Sequence, residues 1–159
     1  VTDTIEVFVP GQPVPQGSKT AFVSKSTGRP VVVDKDVRLP QWRMKITAHC
    51  IDQVQRSPMI HHVPLVGAVG ARITFRMPRP QAHYGTGKNS HLLKPSAPKY
   101  PAKMPDLDKL LRAVFDGITD AQLWEDDGQV VNVSTMKLYE DADHPVGVTI
   151  VVGLMEPRP

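Results

Sequence analysis

Apolar positions along this chain change their period several times, and each change marks an element. In "TIEVFVPG" apolar and polar residues alternate until Pro-Gly stops them, which predicts a strand over about residues 4–9. "GQPVPQGSK" has the composition of a loop, and "TAFVS" and "RPVVVD" follow as short extended pieces joined by a turn at "KSTG". The period then becomes three and four: Leu39, Trp42, Ile46, Cys50 and Val54 share one face, and Pro40 suits a first turn. A helix is therefore expected over about residues 37–55. "LVGAVGARITFRMP" returns to alternation, with Ile73, Phe75 and Met77 on one face of a strand and Arg72, Thr74 and Arg76 on the other.

Residues 78–105 hold six prolines and no sustained period, so no regular element is expected there. A loop of that length inside a small domain is usually functional. Its "HYGTGKNS" lacks the spacing and the Lys-Ser/Thr ending of a phosphate-binding P-loop. In "LDKLLRAVFDGI" an apolar stripe runs through Leu107, Leu110, Leu111, Val114, Phe115 and Ile118, a second helix for which Gly117 is the expected end. "QVVNVSTMKLYE" and "VGVTIVVGLM" complete the chain as two strands joined by a turn around "DADHP". The element order predicts one α/β or α+β domain over residues 1–159, a mixed sheet with two main helices packed on it.

Composition narrows the class of protein. A chain of 159 residues, 40% apolar and 22% charged, suits one soluble globular domain. It has no apolar run of membrane-spanning length, and "VTDTIEVFVPG" lacks the shape of a signal peptide. A single cysteine, Cys50, excludes a disulfide framework and a thiolate zinc site; it is expected to be a small buried apolar residue. Together these point to the cytoplasm.

Charge is unevenly spread. Between Asp52 and Asp106 there is no acid, yet that interval carries Arg56, Arg72, Arg76, Arg79, Lys88, Lys94, Lys99 and Lys103. Ten of the sixteen acids then lie between Asp106 and Asp143. Such a boundary suits a surface that grips a phosphate backbone beside carboxylates that hold a cation. The four histidines of the basic interval, His61, His62, His83 and His91, lack metal-ligand spacing and are expected to be solvated or phosphate-facing.

The acids form two groups, "DLD" at Asp106 and Asp108, and "EDD" ending at Asp126 and Asp127. Taken singly, the first fits helix capping and the second a solvated turn. Taken together, with a helix to bring the second group back beside the first, they fit a site for Mg²⁺ or Mn²⁺. Arg112, one turn beyond Asp108, is placed either to pair with Asp108 or Asp116 or to offset phosphate charge.

"PDLDKLLRAVFDGI", then "WEDDGQVV", then Lys137 resembles the signature of the RusA family of Holliday junction resolvases, roughly P-D-x-D-N-L-x-K-x-x-x-D-x-L followed by D-D-x-Q-V and a strand lysine. The resemblance spans Pro105 to Lys137. It implies a homodimeric, Mg²⁺-dependent endonuclease, with Mn²⁺ as a substitute, that nicks four-way DNA junctions symmetrically during recombination and repair. It implies no small-molecule cofactor and no membrane partner. Phages and prophages commonly encode such enzymes, which then work in the host cytoplasm. The family's essential aspartates fall on Asp106, Asp108 and Asp127, with Asp126 as a further ligand candidate. Its helix lysine falls on Arg112 and its asparagine on Lys109, two departures that keep or add positive charge. Arg112 is then the catalytic cation, and Lys109, Arg72, Arg76, Arg79, Lys88, Lys94, Lys99, Lys103 and Lys137 are the expected DNA-binding residues. Three other readings share some of these features: a branched-DNA-binding protein without cleavage, a nuclease acting mainly on flaps or forks, and a transferase using DxD on a sugar nucleotide.

Overall fold

The computed structural model describes residues 2–17, 19–34, 36–57 and 63–155. Strand β1 (Thr2–Pro10) is followed by a separate antiparallel hairpin of β2 (Lys19–Val23) and β3 (Pro30–Asp34), then by helix α1 (Leu39–Arg56) and strand β4 (Val69–Met77). Helix α2 (Leu107–Asp120), strand β5 (Val130–Tyr139) and strand β6 (Gly147–Leu154) complete it. Four strands form one sheet in the order β1-β6-β4-β5. All pairs are antiparallel except β4 with β5, which run parallel. The expected mixed sheet with two main helices is what forms.

Alternation decides which face of the sheet is buried. Ile5, Val7 and Val9, then Ile73, Phe75 and Met77, then Val148, Ile150 and Val152 point to the same side and are almost fully buried. Against them pack Leu39, Trp42, Ile46 and Cys50 of α1 and Leu110, Ala113, Val114 and Ile118 of α2. Each large side chain so buried contributes about 1.5–3 kcal/mol, which makes this layer the dominant stabilising feature. Burial also pushes the Cys50 thiol up to about 12, so Cys50 is a packing residue, as its surroundings in the sequence suggest.

Gly117 does not end α2. The helix continues to Asp120, because Ile118 still belongs to the apolar stripe and is fully buried. The left-handed residue that turns the chain is Gln122, with φ 56°. Gly117 instead lets the two helices touch. A Cβ there would lie 2.7 Å from Ile46 Cγ2 and 2.9 Å from Ile46 Cβ. The Thr47 hydroxyl lies 3.0 Å from the Gly117 carbonyl, and Arg43 reaches across to Asp116 at 3.5 Å and Asp120 at 3.0 Å.

The Pro-rich segment 78–105 contains no long element, as its composition requires, yet it is shaped. It forms a tongue with short 3₁₀ turns at Gln81–His83 and Gly87–Asn89 and a single bridge between Tyr84 and Leu93. Its base is fastened to the end of β5. The Arg79 guanidinium sits 4.2 Å over the Tyr139 ring and donates to the Pro98 carbonyl at 3.0 Å, while the His83 ring meets Tyr139 edge-on.

Gly117→Ala tests the helix contact. Alanine favours the helix by about 1 kcal/mol, but overpacking against Ile46 costs about 1–3 kcal/mol. The net expectation is a melting temperature lowered by a few degrees; an unchanged or higher value would mean that the helices are not in contact at this point.

Candidate active site

Helix α2 begins where "DLD" lies. Asp106 takes the N-cap position with extended backbone, φ −67° and ψ 138°, but its side chain caps nothing. Its carboxylate instead lies 2.8 Å from the Lys109 ammonium, one turn on. Asp108 occupies the first turn and is exposed. The hydrogen bond that Lys109 donates to Asp106, then the charge of Asp106, then that of Asp108 hold the Lys109 amine above its ordinary range. The Lys109 ammonium is thus held by Asp106 in direct contact and by the charge of Asp108.

Two contacts fix the start of α2. Lys137 of β5 shares a face with Tyr139, since it pairs with Phe75 and Tyr139 with Met77. From there its amine donates to the carbonyls of Lys103 at 2.6 Å and Pro105 at 2.8 Å. On the other side, the amide of Gln16 in the loop after β1 donates to the Lys109 carbonyl at 3.0 Å.

"EDD" is organised by turn chemistry. Asp126 accepts from the Gly128 amide at 2.7 Å, and the Gln129 side-chain oxygen accepts from the amides of Glu125 and Asp126 at 2.8 and 3.1 Å. The Gln129 amide group also donates to the carbonyls of Leu65 and Gly67 at 2.8 and 3.0 Å. Asp126 is thus occupied as the cap of a 3₁₀ turn over Asp127–Gln129, while Asp127 points into solvent without an ion pair among the described residues.

The two groups do not meet within one chain. After α2 the Leu123 carbonyl accepts from the Leu65 amide at 2.8 Å, and Trp124 bridges to Leu65, just ahead of β4. The Asp127 turn lies against α2, and the Trp124 ring just ahead of it meets Phe115 in the second half of that helix. Lys137, which holds the beginning, lies seven residues of extended strand beyond Val130, about 23 Å at roughly 3.3 Å per residue. Among the described residues no group of three or more His, Cys, Asp or Glu side chains is gathered for a metal ion. The expectation that the helix returns "EDD" beside "DLD" is therefore corrected. The chain returns Lys137 there instead, because α2 runs back along the strands.

The expected DNA-binding residues divide by what they already hold. Arg76 is 17% exposed on its side chain and bonds the Tyr139 carbonyl at 3.1 Å and Asp141 at 3.2 Å. Arg79 and Lys137 are committed as described, Lys109 holds Asp106, and Lys94 donates to the Ala82 carbonyl at 2.9 Å. Arg72, Lys88, Lys99, Lys103 and Arg112 are exposed and carry no ion pair among the described residues. Arg72 lies on the sheet face away from the helices; Lys88 and Lys99 lie on the tongue and Lys103 at its return.

Of the histidines, His91 is exposed as expected, and His61 and His62 lie outside the described residues. His83 departs from expectation: it is half-buried, and its Nδ1 is buried with no hydrogen-bond partner. Tyr139 escaped notice as well. Its place two residues after Lys137, hence on the same strand face, was the available signal.

A family model described as Endodeoxyribonuclease RusA matches residues 10–152. No curated protein matches significantly.

Lys137→Met keeps the length of the side chain and removes its donors. It is expected to lower stability by about 1–2 kcal/mol, seen as a melting temperature a few degrees below that of the parent chain. An unchanged melting temperature would mean that the Lys103 and Pro105 carbonyls are equally well served by water.

Proposed function

This chain belongs to the RusA endodeoxyribonuclease family, and from that premise we propose that it resolves four-way DNA junctions by Mg²⁺-dependent phosphodiester hydrolysis, as a homodimer whose two sites are each shared between subunits. The observation that carries this reading is the separation of Asp127 from Asp106 and Asp108 along β5. The donor chemistry suits a hard divalent cation, since all three groups are carboxylates reachable from solvent. Asp106 and Asp108 lie two residues apart at the start of α2, and in this reading the third carboxylate comes from a second chain.

Strand β5 supports such an arrangement. It is an edge of the sheet, and Val131, Val133 and Met136 along it are 64%, 45% and 49% exposed. An uncovered apolar edge is a ready pairing surface. A two-fold axis through the middle of β5 sets two such strands antiparallel. It then brings Asp127 of the partner subunit to the Asp106–Asp108 end of the first, and the reverse. Two equivalent sites result, matching the two strands that a four-way junction presents for paired nicks.

A divalent ion at Asp106, Asp108 and Asp127 supplies Lewis-acid polarisation of the scissile phosphate and favours ionisation of water for in-line attack. The chain's own residues supply the rest. Lys109, paired with Asp106 at 2.8 Å, would with Arg112 offset the charge of a phosphate held there. Arg112 stays protonated, so it acts by charge alone. Lys88, Lys99 and Lys103 hold backbone phosphates, contacts that position DNA without reading its sequence. Among the described residues no helix is long and apolar enough to cross a membrane, and action on DNA in the cytoplasm, in recombination or repair, is the setting we propose.

The test uses two variants, Asp108→Asn and Asp127→Asn, each made alone and then co-expressed with different tags. Each alone is expected to bind labelled four-way junctions in Mg²⁺ but to cut them slower by at least about 10²-fold. Mixed dimers carry both substitutions in one site and none in the other, so nicking returns to about a quarter of the wild-type rate in a random mixture. No recovery would place all three aspartates in one chain. Equal cutting of four-way, forked and linear DNA, or cutting in EDTA, would remove junction specificity or metal dependence.

A further inference from the structure

Beside the start of α2, between the tongue and the ends of β4 and β5, lies a cavity of about 480 Å³, within the range of about 300–1,000 Å³ typical of small-molecule sites. Its wall ends at Pro105, the residue before Asp106. Resting on the reading just given, we propose that this cavity receives one unstacked nucleobase next to the scissile phosphate, with Tyr100 as its stacking platform and His83 as the group that reads its edge.

The lining has the chemistry such a guest requires. Five of its residues are prolines, which with Tyr100, Tyr139 and Met104 present flat apolar surfaces. None of its lining residues is acidic, and Lys103 stands at the rim, so a nucleotide enters without repulsion. Tyr139 is already engaged by Arg79 on its face and His83 at its edge, which makes it a strut. Tyr100 is 59% exposed and has no aromatic or cationic partner among the described residues. His83 is one of the few polar side chains of the lining, with Gln12 and Lys103, and its Nδ1 is buried without a hydrogen-bond partner. A buried polar atom without a partner carries a penalty that a ligand removes, and a base edge offers donors and acceptors in the plane that stacking fixes.

Position decides between a nucleobase and any other flat ligand. A phosphate held at Asp106 and Asp108 carries its base within reach of the cavity next door. In continuous duplex that base stays stacked. At a branch point stacking is interrupted and extrusion costs less. The cavity therefore selects for branched DNA, and it adds a base preference that the phosphate contacts lack.

The test measures binding of the Asp108→Asn chain in Mg²⁺ to junctions made abasic, one at a time, at the nucleotides flanking the cut. With Tyr100 present, loss of the base at one position is expected to weaken binding by about tenfold, the scale of a base–aromatic stack. Tyr100→Ala should lose the same factor on the intact junction and nothing more on the abasic one, while Tyr100→Phe binds like the parent. Tyr100 is exposed, so its variants should keep the parent melting temperature, which is checked alongside. In an otherwise wild-type chain, His83→Ala should flatten the cleavage preference among the four bases at that position. Losses that multiply, or no abasic effect at any flanking position, would overturn the proposal. Cleavage of the same junctions by the wild-type chain separates the two readings: coupling without cutting upholds the cavity and rejects the nuclease, and cutting without coupling does the reverse. A chain that binds no junction rejects both.

Discussion

The parallel pairing of β4 with β5 is the constraint from which the rest follows. A parallel neighbour cannot be reached through a tight hairpin, so the chain has to cross over the sheet between the two strands. Here the crossover carries the tongue and α2, and the helix runs opposite to both strands on its way back. That direction leaves Asp106 and Asp108 at one end of β5 and Asp127 at the other. It also leaves β5 as the last strand of the sheet, with one edge open. The divided carboxylates and the open edge with its exposed apolar side chains therefore have one origin.

Charge management around the aspartates follows the same division. At "DLD" the repulsion between neighbours is met by a lysine from the same helix, held 2.8 Å from Asp106. At "EDD" it is met by amides, because Asp126 accepts from Gly128 and the chain is drawn tight by the two-ended side chain of Gln129. Neither group relies on burial, and both leave oxygens facing water. Lys109 is also one of the two places where the chain departs from the family pattern, so the departure falls on the residue that pairs with Asp106.

Most of the fold was legible in the sequence, because each element announces itself by a local period: two in β4, three and four in α1 and α2. The errors came where a residue type has more than one use. Gly117 is compatible with a helix end and with a helix contact, and only the position of Ile46 distinguishes them. The late turn fell to Gln122, for which no sequence signal exists. The site was legible as residue types but not as an assembly. Asp127 lies nineteen positions after Asp108, and whether that closes or opens a distance depends on the direction of the crossover. The same holds for the basic residues. A lysine or arginine reads as phosphate-facing until carbonyls such as those of Lys103, Pro105, Ala82 and Pro98 are seen to engage it.

The tongue is joined to the end of β5 by a few side chains: Arg79 and His83 meet the Tyr139 ring, Glu140 accepts from the Arg79 amide, and Lys137 donates to the Lys103 and Pro105 carbonyls. Arg79, His83 and Tyr139 form a small bolt, and beyond it the backbone hydrogen bonds of residues 85–92 run among themselves. A segment attached in this way is free to change in length and in the residues at its tip over evolutionary time, while the strands, the helices and the aspartates stay as they are. Descendants of this chain can redraw the tongue with Tyr139 kept as its mounting point and the rest of the domain inherited unaltered.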